Sequence, residues 1–178
     1  MGACLALAAI TLIAGLIASA VQPYDPGAPG CRDRTPPDET AHVLYVRHLL
    51  TERTLPVLDS GSGNYEAHQP PLYYLTVAPW MAVGQRLARG DPPDASGAPP
   101  LEVWLGRLWS VLIAAGVTIV CYLLAREVFP GSPWLPLTAG VFCALLPGHL
   151  INLAAITNDG LAELLSGLVL WQCVVLVR

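Results

Sequence analysis

Lysine is absent from this chain of 178 residues: all nine basic residues are arginine, against thirteen Asp plus Glu. Charged residues make up only 12% of the sequence, where soluble domains usually carry ~25%. No basic run exists and the net charge is −4, which argues against nucleic-acid binding. The cysteines form no Cys-x-x-Cys or His/Cys cluster, so a structural zinc site is not expected. Cys4, Cys121, Cys143 and Cys173 lie in charge-free apolar segments, and Cys31 alone lies in a polar one. A single cysteine there leaves that region without an internal disulfide. What is abundant is apolar: 54% of the residues are hydrophobic, which excludes a disordered or collagen-like chain.

The few charges are unevenly spread. Residues 1–20, 108–125, 128–158 and 164–177 carry none. Residues 21–107 hold seven of the nine Arg, ten of the thirteen acids and thirteen of the seventeen Pro. This is the pattern of a membrane protein with one long polar insert.

A bilayer core of ~30 Å needs roughly 20 apolar residues as helix. The sequence predicts an all-α membrane protein with about four transmembrane helices, at 3–21, 107–125, 134–156 and 160–177. Pro147-Gly148 predicts a kink in the third, which membrane helices tolerate when neighbours satisfy the freed backbone. Ala18-Ser19-Ala20 matches a small-residue cleavage site. The missing positive n-region and the length of the apolar stretch favour a retained anchor instead. Residues 22–106 form the long loop between the first two spans. Within it, Pro70–Val83 is apolar, but its core is nearer ~14 residues and it contains Pro70, Pro71 and Pro79. It is read as not crossing. Asp38 and Asp159 then fall on the same side of the membrane. Orientation is not decided by charge, because loops beyond ~60 residues escape the positive-inside rule.

The loop carries two predicted juxtamembrane helices, at about 37–53 and 70–88. The first has Pro37 near its start and acids in its first turn, which complement the helix dipole. Val43, Val46, Leu49 and Leu50 form an apolar stripe, expected to face the bilayer surface. Asp38, His42 and Tyr45 share another face through their i, i+4, i+7 spacing. That arrangement allows a catalytic pair, but spacing alone favours an acid stabilised by the dipole beside a solvated histidine. The Pro70-Pro71 pair suits the start of a helix over Leu72–Leu87. Tyr73 and Tyr74 are expected at the headgroup level, with His68 and Gln69 facing water. Residues 22–37, 54–64 and 90–100 read as loops, rich in Pro, Gly or both.

At the membrane edges, Arg107 fits two roles. It can anchor the second span by snorkelling, or offer a guanidinium fork to a phosphate. Asn158-Asp159 stand before the fourth span, as an N-cap or as polar groups facing the same cavity as Asp38. His149 is expected to hydrogen-bond between helices.

Four motifs occur in order: Pro-Asp-Glu-x-x-His at 37–42 followed by Leu-Pro-Val at 55–57; Tyr-Glu-Ala-His-Gln-Pro-Pro-Leu-Tyr-Tyr at 65–74; Gly-Arg-Leu-Trp-Ser at 106–110; and Thr-Asn-Asp-Gly-Leu-Ala at 157–162. Over residues 3–178 this order resembles the N-terminal portion of polytopic C-type glycosyltransferases. Bacterial members similar to protein O-mannosyltransferases and aminoarabinose transferases carry the likeness best. The resemblance implies transfer of a sugar from a polyprenyl-phosphate donor to a protein or glycan acceptor on the extracytoplasmic face of the cell membrane. It implies Asp38 as general base with Glu39 beside it holding the acceptor. Arg107 would bind the donor phosphate, Asp159 would be a second acid with Asn158 beside it, and His42 and His68 would line the site. It also implies that the N-terminus lies inside and that Pro70–Val83 does not cross. No cofactor is expected with certainty. Two acids on one side fit a divalent cation only in part, because no ligand set is complete. Members of that family have many more spans in a much longer chain, so the sequence reads as the N-terminal part of such an enzyme. The alternative is a non-catalytic membrane fragment or subunit that binds lipid-linked sugar or a partner protein.

Overall fold

A computed structural model describes residues 2–24, 38–58, 65–88 and 99–177. Among these residues every regular element is helical. They are α1 (Gly2–Val21), α2 (Glu39–Glu52), a 3₁₀ turn (Tyr65–His68), α3 (Leu72–Leu87), α4 (Leu101–Val128), α5 (Trp134–Leu145), α6 (Pro147–Leu153) and α7 (Asp159–Val177). Cys31 and most of the three predicted loops lie outside the described residues.

Three helices, α1, α4 and α7, are long and apolar enough to cross a membrane. A fourth crossing is made if α5 and α6 together form one broken span, bent by 61°. The break falls where the chain dictates it. Leu146 is extended (ψ 112°) because Pro147 disfavours helical geometry in the residue before it. The predicted kink is therefore a full interruption, and the third expected span ends in a short helix and a non-helical stretch before α7. The described residues are thus all-helical, with three or four candidate membrane spans, as expected for an all-α membrane protein.

Helix α4 is the central post, packed by α1, α3, α5 and α7. Its 28 residues give a rod of about 42 Å, longer than a hydrocarbon core of ~30 Å. It starts at Leu101, earlier than the span expected from Arg107, because its first turns are covered by α2 and α3. Helix α3 lies along α4 at very close range. A Cβ on Gly84 would sit 2.4 Å from the Glu102 Cα, so only glycine fits that approach. Nearby, Tyr73 Oη and Ser110 Oγ are 2.7 Å apart, and Trp109 Nε1 donates to Thr76 Oγ1 at 3.1 Å. Within the span region, Thr11 Oγ1 donates to Thr118 Oγ1 at 3.0 Å, an interhelical bond of the kind that holds membrane helices together.

Two local expectations are corrected. The α2 stripe does not face the bilayer: Val43 and Val46 are fully buried against Tyr73, Tyr74, Val77, Met81 and Val103, with Leu49 and Leu50 packed at the edge. Tyr73 and Tyr74 do not reach a headgroup layer either, being 2% and 0% exposed in the same cluster. Each misplacement explains the other, since the α3 tyrosines are what cover the α2 stripe. Tyr45 and Tyr74 stack at 3.7 Å between ring centroids, 10° from parallel.

Candidate functional site

The site begins with a buried ion pair. Arg107 and Glu39 have no exposed side-chain surface. Arg107 Nε donates to Glu39 Oε1 at 2.8 Å and Nη2 to Glu39 Oε2 at 2.6 Å, a bidentate fork. Nη1 donates to the carbonyls of Ser19 and Gln22, each at 2.8 Å, and Nη2 to that of Pro23 at 3.2 Å. These five bonds use all five guanidinium N–H groups. The carbonyls belong to the last turn of α1 and the two residues just beyond it, where helix acceptors lose their intrahelical partners. Glu39 Oε1 also accepts the Ile156 backbone N–H at 2.9 Å. One pair thus ties the exit of α1, the start of α2, the body of α4 and the chain leading into α7.

A second polar staple supports it. Arg47 Nε donates to Glu102 Oε1 at 3.0 Å, and Gln85 Nε2 donates to Glu102 Oε2 at 2.5 Å. It fastens α2 to α4 and the end of α3.

Asp38, one residue before the lock, stands at the start of α2 with φ 64°, in the left-handed region. Non-glycine residues adopt that geometry only when their surroundings hold it, and Asp is among the better tolerated. Its side chain makes no capping bond to α2. Asp38 is exposed, while His42 one turn on is 5% exposed. His42 Nδ1 lies 2.7 Å from Tyr74 Oη. Burial pushes the His42 imidazole down from 6.5 to about 4, against the opposing pull of Asp159 and Asp38. It is therefore neutral near pH 7. Tyr74 is pushed above its ordinary value, chiefly by burial.

The 3₁₀ turn and the start of α7 close the other sides. Asn158 Nδ2 donates to Gln69 Oε1 at 3.0 Å, linking the two segments. Gln69 Nε2 and His68 Nε2 are 3.2 Å apart, and His68 Nδ1 meets the Tyr65 carbonyl at 2.9 Å. Asp159 is exposed and accepts from Asn152 Nδ2 at 2.8 Å. Glu66 is 3% exposed, and burial raises its carboxyl above the ordinary range, with Asp38 and Asp159 adding to the rise.

Asp38, His42, Glu66, His68 and Asp159 are near enough to one another for Asp38, His68 and Asp159 to act electrostatically on both His42 and Glu66, and Asn158 joins them through its bond to Gln69. Glu39 and Arg107 beside them are wholly buried. In this arrangement Arg107 is neither an exposed anchor nor an open fork for a phosphate, because every donor is committed to protein. Glu39 likewise holds the floor under Asp38. Glu66, Gln69 and Tyr74 fall inside a sequence motif, but local sequence assigns Glu66 and Gln69 no role and suits Tyr74 to the headgroup level. Their function-bearing signal, burial beside acids of distant segments, is not present in local sequence. Among the described residues no three His, Cys, Asp or Glu side chains converge to hold a metal ion. His149 bonds between elements, with Nε2 at 2.7 Å from Glu163 Oε2 on α7 and Nδ1 at 3.2 Å from the Cys143 carbonyl.

The fold and site define a helical chain with several candidate membrane spans and a polar cluster beside a buried Arg–Glu lock. No protein-family model, curated protein or solved structure significantly matches the chain.

Proposed function

We propose that this chain is the acid-bearing part of a membrane glycosyltransferase that takes a sugar from a polyprenyl-phosphate donor. The observation that carries the reading is the electrostatic proximity of Asp38 and Asp159 to His42 and Glu66, which brings three separate segments of a membrane protein together. Asp38 is the base. It takes the proton of an acceptor hydroxyl, the hydroxyl oxygen bonds to the anomeric carbon, and the carbon–oxygen bond to the phosphate breaks. Its electron pair leaves with the polyprenyl phosphate. A hydroxyl is a poor nucleophile near neutral pH, and a positioned base contributes ~10²–10⁴-fold. Asp38 suits the part because it is exposed, unbonded to the helix behind it, and fixed by the neighbouring Glu39. Asp159 and Asn158 orient the sugar or acceptor from the facing segment, with His42 and His68 lining the site. Glu39 and Arg107 are positioning residues. The site faces the extracytoplasmic side of the cell membrane, with the lipid donor arriving from the bilayer and a protein or glycan acceptor from outside.

The test is sugar transfer from an isoprenyl-phosphoryl hexose in membranes containing the protein. Asp38→Asn is expected to lower transfer by at least ~10²-fold without loss of folded protein. Undiminished transfer by that variant refutes the base assignment.

One observation favours a second reading. Arg107 is closed, so no arginine described at the site is open to stabilise a leaving phosphate. A non-catalytic subunit that binds lipid-linked sugar, or a partner protein, needs no such group. Donor binding without turnover by any membrane preparation of the protein supports that alternative.

A further inference from the structure

The end of the bundle away from Asp159 holds two adjoining cavities that the proposed chemistry does not use. Both α4 and α7 run toward it. Arg126 lies about 28 Å along α4 from Arg107, at 1.5 Å per residue. The first cavity, of about 590 Å³, lies between the last turns of α4 and α7 and is walled by Val128, Cys173, Val174 and Val177. The second, of about 500 Å³, lies at the turn from α4 to α5 and is lined by Tyr122, Arg126, Phe129, Ser132, Pro133 and Pro136. Glu127 and Pro130 border both cavities, so the two share a wall. Glu127 is itself partnered.

The two linings differ in kind. The first is almost wholly apolar, and the protein leaves it uncovered: Val128 is 49% exposed and Val177 89%. The second carries a guanidinium. Arg126 is exposed, with Cζ 6.0 Å from the centroid of the Tyr122 ring, and no carboxylate pairs with it among the described residues. A ring face supports a cation without using its N–H groups. Arg126 thus keeps the fork that Arg107 has spent. Ser132 Oγ accepts the Leu135 N–H at 3.3 Å, which leaves its O–H to donate. The turn joins two candidate spans, so it stands where the chain leaves the hydrocarbon. Trp134 and Phe129 beside it are exposed, as aromatic rings are at the headgroup level.

We propose that the two cavities together form a lipid site, which takes an anionic phospholipid with its phosphate on Arg126 and an acyl chain along Val128, Val174 and Val177. A guanidinium fork matches two phosphate oxygens, and basic pockets between membrane helices at this depth take anionic headgroups. Neither cavity alone selects such a ligand. A soluble anion leaves the apolar cavity empty, and a neutral chain leaves Arg126 unpaired. One amphiphile satisfies both. The inference stands apart from the transferase reading, because the site lies a membrane's thickness from the acids that carry it.

The full chain is taken from nanodiscs of equal phosphatidylglycerol and phosphatidylcholine with the same acyl chains, and retained lipid is counted by native mass spectrometry. The parent is expected to retain phosphatidylglycerol in preference. Arg126→Gln is expected to lower that retention roughly five- to tenfold. Arg86→Gln removes an exposed arginine two residues past Gly84, beside the start of α4, and is expected to stay within about twofold of the parent. Val174→Trp, which fills the apolar cavity, is expected to lower retention in chain that keeps its helical circular dichroism. Glycerol phosphate, a headgroup without chains, is expected not to displace the lipid. Equal retention of the two lipids, or equal losses in Arg126→Gln and Arg86→Gln, overturns the phosphate contact. Displacement by glycerol phosphate, or full retention by folded Val174→Trp, overturns the two-part site. A lipid-free dimer overturns the proposal in favour of a second copy covering the cavities.

Discussion

The Arg107–Glu39 lock makes the sharpest physical prediction. Replacing Glu39 by Leu strands a buried guanidinium that still bonds the carbonyls of Ser19, Gln22 and Pro23. Replacing Arg107 by Met strands a carboxylate with only the Ile156 N–H beside it, and leaves three carbonyls unbonded. Breaking a buried pair by removing one partner costs about 3–5 kcal/mol, because a charge is left uncompensated. Replacing both by apolar groups removes both stranded charges. The double variant therefore falls well short of the sum of the single costs, by at least ~2 kcal/mol, and what remains is mainly the unbonded carbonyls at ~1–3 kcal/mol each. The assay is reversible denaturant unfolding in mixed micelles, followed by circular dichroism, on the parent, both single variants and the double. Costs that add to within ~0.5 kcal/mol would refute the coupling, and with it the claim that this pair fastens α1, α2, α4 and the approach to α7.

Three further outcomes follow from the same geometry. His42 charges near 6.5 when unfolded but near 4 when folded, so the unfolded chain binds more protons in that window and stability falls as pH drops through it. The loss reaches at most about 3 kcal/mol, and unfolding of His42→Gln should lack that component; an unchanged pH profile in the variant counts against the buried neutral imidazole. Gly84→Ala should destabilise by about 1–3 kcal/mol, because the added Cβ meets the Glu102 backbone. Gly106→Ala should cost less, because its nearest obstacle is the flexible end of Ile156, and the reverse order in unfolding would contradict the packing of α3 on α4.

Much of the helical frame was legible, and the reasons are local. The Pro70-Pro71 pair announces the start of α3, since proline suits a first helical turn and its absent N–H costs nothing there. Pro147 announces a break for the opposite reason, by excluding the helical conformation from Leu146. The α2 stripe was legible as a buried face, but an apolar face does not say whether lipid or protein buries it. The tyrosines of α3 decided that question. The place of Tyr73 and Tyr74 is not legible locally for a related reason: a ring with a polar tip suits a headgroup layer and a packed core equally well, provided the hydroxyl finds a partner. Ser110 and His42 are those partners, and both lie more than a helix away in sequence. The Arg107–Glu39 pair spans 68 residues, a contact that no local pattern encodes.

The account turns most directly on whether Asp38 and Asp159 open onto one extracytoplasmic mouth. Single cysteines at these two positions, in a chain whose own cysteines have been replaced, can be tested with a membrane-impermeant maleimide applied to intact cells. The account predicts that Asp38→Cys and Asp159→Cys are both labelled from outside. Labelling from opposite faces would contradict the shared mouth, and with it the proposed site.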